Sequence, residues 1–169
     1  LGEHRNETKV VSEDGSTANY TYYADTSDLD IQDLIYHEET LDIDGDVVEE
    51  SYFEYDEYGN ETSSYDTVED IIVLSGYCEE DIATGLNGAL AWEKEYLGPE
   101  KEQQLVRTTT YSYTYDREGN KIETVTEVSG NNKTETITTY DTMGQETSVV
   151  SRSGAASKTL DTADIDSSV

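Results

Sequence analysis

Two sets of residues have types and spacings suited to binding chemistry. Asp42-Ile43-Asp44-Gly45-Asp46 places a carboxylate at every second position around a glycine. Ca²⁺ prefers such hard oxygen ligands. An EF-hand loop also needs a bidentate Glu at its twelfth position, and counting from Asp42 that position is Phe53, so the EF-hand is excluded. Asp42, Asp44 and Asp46 stand as the candidate metal ligands, with an Asp-Gly hairpin turn as the competing reading. Tyr52, Tyr111, Tyr113 and Tyr115 form the second set. Exposed on one strand face, they would offer a platform for a sugar ring or a peptide; the competing reading is packing against the next hairpin. His4 and His37 are the two histidines and supply no four-ligand zinc pattern. Cys78, the one cysteine, makes no intramolecular disulfide. Neither a Gly-rich phosphate loop nor a Gly-x-Ser-x-Gly elbow occurs. The expectation is a protein that is not an enzyme and needs no cofactor, with Ca²⁺ the one candidate ion.

The 169 residues carry Lys+Arg 10 against Asp+Glu 39, a formal net charge of −29. Phosphate contacts need clustered cations, so the balance argues against nucleic acid and against anionic membranes as partners. No apolar run approaches the roughly 20 residues of a membrane span. Hydrophobic residues make up 34%, little for a compact globule, yet 14 Tyr and clusters such as Thr108-Thr109-Thr110 are strand formers suited to a half-buried pleated surface. A folded β protein with a thin core follows.

The elements that would position these residues repeat along the chain. Tyr55-Asp56-Glu57-Tyr58-Gly59-Asn60 and Tyr115-Asp116-Arg117-Glu118-Gly119-Asn120 are near copies, and Tyr140-Asp141-Thr142-Met143-Gly144-Gln145 is a third. Decayed copies are read at Tyr23-Ala24-Asp25 and from Asp81 to Gly85. An Asp at the first turn position accepts a backbone N–H two residues on, and Gly takes the left-handed position that closes a hairpin. Asp14-Gly15, Asp44-Gly45, Gly98-Pro99 and Gly130-Asn131 read as turns of a different type. The spacing predicts an all-β antiparallel meander of successive hairpins with little or no helix, with residues 34–43 pairing across Asp44-Gly45 with Val47 to Tyr55. Residues 81–97 admit a helix or a strand, and the β context favours strand; Ser27 to Glu38 admits a short helix. One domain is expected over 1–153, followed by a low-complexity, disordered tail over 154–169.

Tyr-x-Tyr-Asp-x-x-Gly-Asn at Tyr113 to Asn120, and Phe53 to Asn60 with Phe for the first Tyr, resembles the YD repeat of the RHS family. The resemblance covers roughly residues 10–150, unevenly. It implies long hairpins joined into a continuous sheet in a secreted or surface-attached bacterial protein, here a small relative exported as a free protein or lipoprotein. The family shares no catalytic residues to carry over. The resulting expectation is a monomeric structural or adhesive β-repeat protein outside the cell, with a carbohydrate- or peptide-binding module as the alternative.

Overall fold

The computed structural model describes residues 8–23, 34–78, 88–98 and 104–161. His4, the repeat copies at Asp25 and Asp81, Pro99, and most of the helix alternatives over 27–33 and 81–87 lie outside the described residues. The chain is all-β. Its strands are β1 (Lys9–Val11), β2 (Thr17–Tyr22), β3 (Ile35–Leu41), β4 (Val47–Tyr55), β5 (Glu61–Asp66), β6 (Ile71–Tyr77), β7 (Leu90–Leu97), β8 (Gln104–Tyr115), β9 (Lys121–Ser129), β10 (Asn132–Tyr140) and β11 (Glu146–Ala155). They follow chain order within an 11-stranded sheet, the antiparallel meander the turn spacing predicts. The stretch over 81–97 is strand from Leu90 onward.

Packing divides the chain into two compact units, one of Leu1–Ser75 with Tyr96–Gln104 and one of Gly76–Glu95 with Leu105–Val169.

Five of the hairpins among the described residues are made by one and the same turn. In each, residue 1 donates its N–H to the carbonyl of residue 5, and the N–H of a glycine at residue 4 returns to the carbonyl of residue 1. These turns begin at Ser12, Asp42, Asp56, Asp116 and Asp141. The glycines adopt φ of 90° at Gly15, 88° at Gly45, 82° at Gly59, 85° at Gly119 and 79° at Gly144. Side chains avoid this left-handed region because Cβ meets the following carbonyl. The distinction drawn between the Tyr-Asp turns and Asp14-Gly15 or Asp44-Gly45 therefore does not hold. Asp42, rather than Asp44, is the residue equivalent to Asp56. Gly130 does differ, with a φ of 57° at the first central position of a two-residue turn between Ser129 and Asn132.

The carboxylate at residue 1 fastens the corner. Asp56 Oδ1 accepts the N–H groups of Tyr58 and Asn60 at 2.9 Å each, and Asn60 Nδ2 donates to Asp56 Oδ2 at 2.9 Å. Asp116 holds Glu118 and Asn120 in the same way, including the Asn side chain. The asparagine after the glycine is thus part of the turn.

Side chains are mostly half-buried. Among the described residues only Leu160 (7% exposed) and Thr109 (8%) are buried. Leu160 reaches that state because Gly154 lacks a side chain, since a Cβ there would meet Leu160 Cδ2 at 2.8 Å. Ala156 N–H bonds the Asn131 carbonyl, and Lys133 Nζ donates to the Lys158 carbonyl, so residues through Leu160 are tied to β10 and its turn. The boundary expected between 153 and 154 falls inside β11.

Candidate functional site

Register decides which side chains share a face, because residues directly opposite in neighbouring strands point the same way. In the first unit His37 stands opposite Tyr52, and Tyr52 opposite Tyr65. The His37 and Tyr52 rings stack at 4.4 Å between centroids. Two residues along β4, Glu50 collects three partners: Thr67 Oγ1 donates to Oε2 at 2.7 Å, Tyr52 OH donates to Oε1 at 3.1 Å, and His37 Nε2 lies 3.2 Å from Oε1. These bonds, the Thr67 hydroxyl first, hold the Glu50 carboxyl below the usual carboxylate range. The same bond to Glu50 pushes the Tyr52 phenol up. Beside this group, Asn19 Nδ2 donates to Glu39 Oε1 at 2.9 Å. Tyr52 remains 41% exposed, so its ring is available while its hydroxyl is anchored.

The opposite face of these strands carries an aromatic cluster. Tyr23 meets Tyr36 edge-on at 5.5 Å and Tyr55 at 6.1 Å. Tyr23 OH donates to the Phe53 carbonyl and Tyr55 OH to the Ile35 carbonyl, so both phenols stitch neighbouring strands. Burial pushes the pKa of each phenol up, because the phenolate would be desolvated.

In the second unit Tyr111, Tyr113 and Tyr115 lie on one face of β8, opposite Val125, Glu123 and Lys121. Tyr111 OH donates to Glu93 Oε2 at 2.5 Å, and Tyr113 OH donates to the Leu90 carbonyl at 2.9 Å. Both phenols are raised by burial, with the Glu93 bond adding to the effect at Tyr111. Lys121 Nζ sits 4.8 Å from the Tyr113 ring and 5.4 Å from the Tyr140 ring while bonding Glu123 at 3.0 Å. Tyr115 is the most exposed of the three, at 47%. The four candidate tyrosines thus belong to separate settings. Tyr52 stacks on a histidine in the first unit, Tyr111 and Tyr113 are fastened to β7, and Tyr115 stands at the end of β8.

Asp42, Asp44 and Asp46 share one turn, but Asp42 Oδ1 accepts the N–H groups of Asp44 and Asp46 at 2.9 Å each. Asp44 and Asp46 are exposed. Among the described residues no group of three His, Cys, Asp or Glu side chains is placed to hold a metal ion. The sequence reading missed the partnership of His37 with Tyr52. The two are 15 positions apart, and only the β3–β4 register joins them.

No protein-family model matches the chain, and none of the curated proteins is similar to it.

Proposed function

We propose that this chain is a non-catalytic structural or adhesive β-repeat module of a secreted or cell-surface bacterial protein. The recurrent five-residue corner carries the reading. At Asp42, Asp56, Asp116 and Asp141 the corner carboxylate accepts the N–H groups of residues 3 and 5 of its own turn. Oxygens used in this way maintain a backbone path, which is the work of a scaffold. The YD-like segments at Phe53 to Asn60 and Tyr113 to Asn120 support the export half of the proposal. Acidic side chains along the strands would keep such a sheet soluble and discourage pairing with other chains.

The test is labelling of intact producing cells with an antibody against the chain, before and after lysis. Signal on intact cells or in the medium is expected. Signal confined to lysed cells would end the surface reading.

One observation favours the second reading, a carbohydrate- or peptide-binding module. The Tyr52 ring is held by His37 and Glu50 yet stays open on its outer side. Binding on a glycan or peptide array, lost in Tyr52→Ala while the circular-dichroism spectrum is kept, would support it. Calcium assistance through Asp44 and Asp46 belongs to this second reading. It requires that added Ca²⁺ raise the melting temperature, as any ligand selective for the folded state must.

A further inference from the structure

We propose that the sheet face of the first unit where Glu38, Ser51 and Asp66 stand side by side docks a basic, extended segment of another protein. This goes beyond the scaffold reading and does not depend on where the protein resides. Glu38 is the direct cross-strand partner of Ser51, and Ser51 of Asp66, so the three occupy one face. The short serine between two longer acidic side chains leaves a hollow. It forms a cleft of about 370 Å³, completed by Val48, Glu49, Val68 and Glu69.

The apolar members are outward by construction. Thr40 pairs with Glu49 and Leu41 with Val47, so Val48 is the extra, bulged residue of β4. Val68 lies in the four-residue loop between β5 and β6, where its N–H bonds Asp66 Oδ1. Val48 is 44% and Val68 52% exposed. Asp66 uses one oxygen on the N–H groups of Val68 and Glu69. The side chains of Glu38, Glu49 and Glu69 make no hydrogen bond or ion pair to any described residue.

Charge complementarity selects the occupant. Residues 34–75 hold fourteen Asp or Glu and not one Lys or Arg. No cation of this segment can neutralise the cleft. A lysine or arginine side chain matches both halves of the lining, laying its methylene stem on valine and its charged head on carboxylate. Glu38 and Asp66 are separated by two inter-strand steps, roughly 10 Å, which is about the span from residue i to i+3 of a segment in the extended polyproline-II conformation, whose three residues per turn bring both side chains to the same side. The fitting segment therefore carries Lys or Arg at every third position with small or apolar residues between.

A fluorescent synthetic peptide of that pattern, with Val and Ser between lysines, provides the test by anisotropy against the full chain at physiological salt. Its Glu-for-Lys counterpart is expected not to bind. Combining Glu38→Gln, Glu49→Gln and Glu69→Gln should weaken binding about tenfold, whereas Glu13→Gln, Asp44→Asn and Glu57→Gln, an equal change of charge elsewhere in the unit, should weaken it less than about twofold. Val48→Ser with Val68→Ser, both at exposed positions that leave the fold in place, should weaken it about threefold. Amide chemical-shift changes should centre on residues 48–51 and 66–69. Equal weakening by the two charge triples, or shift changes spread over all the acidic turns, would overturn the proposal and leave only a diffuse negative surface.

Discussion

The two units use the same corner and hold their faces by different means. In the first, residues 34–75 are wholly without Lys or Arg, and the strands are joined by aromatic edges, phenol-to-carbonyl bonds and the Glu50 group. In the second, cations are threaded between acids. Arg107 bonds Glu95 at 2.6 Å and lies 3.7 Å from Glu127, Arg152 bonds Glu135 at 3.2 Å, and Lys121 joins Glu123 to two tyrosine rings. Both manage with few buried side chains. The corner sets the backbone path through bonds among five consecutive residues. The face is then free to be acidic and open, or less acidic and cross-linked by ion pairs.

The largest expected difference between the units comes from glycine. A Cβ at Gly76 would lie 2.3 Å from the Trp92 ring, whereas one at Gly45 has nothing within 4 Å. Gly76→Val should cost about 3 kcal/mol in urea unfolding, by overpacking. Gly45→Ala should cost only the left-handed backbone strain, about 1 kcal/mol. Trp92, the one tryptophan, reports the second unit by fluorescence. A larger loss at Gly45 would mean that corners, and not face packing, limit stability in both units.

The corners rank next. Asp56→Ala removes three bonds, and Asp141→Ala removes the two made to Met143 and Gln145. Asp56→Ala should cost about 1 kcal/mol, the usual loss for a side chain capping backbone N–H groups, and Asp141→Ala less. Equal losses would show that the asparagine after the glycine contributes nothing.

Acid should then distinguish the units. Asp14 is held low by Ser16 and Glu50 by Thr67; at Asp56 burial pushes up but is outweighed by Asn60 and the turn N–H groups. In the second unit Asp116 is held low, chiefly by Asn120. A carboxyl depressed on folding adds stability above its unfolded pKa, and that stability is lost as pH falls through the folded value. Protection of first-unit amides from hydrogen exchange should therefore decline first as pH is taken below about 4. Simultaneous loss in both units would make acid sensitivity a property of the shared corner.

Salt and single ion pairs give the smallest effects. Raising ionic strength should firm the first unit, by screening like charges, and slightly loosen the second, by screening pairs. Arg107→Ala, removing a half-exposed pair, should cost no more than about 0.5 kcal/mol. A loss several times larger would mean that the cations, and not the strand ladders, hold the second unit.

The amino-acid sequence by itself determined the corners and hence the meander. Asp56 to Asn60 and Asp116 to Asn120 close through bonds spanning at most four residues, so composition and order within each stretch suffice. Even there, the equivalence of Asp42 with Asp56 is not legible in the letters, because Asp44-Gly45 is itself a two-residue turn signal, while the bonds that close the corner start at Asp42. Tertiary structure alone decided the faces. His37 meets Tyr52, Trp92 covers Gly76, Leu160 seats on Gly154, and Glu38 aligns with Asp66 through Ser51. Each depends on strand register, and a slip or bulge of one residue, such as Val48, turns every later side chain to the other side. Local hydrogen bonds are written in consecutive letters, but the chemistry presented to a partner is set by pairing between segments far apart in the chain.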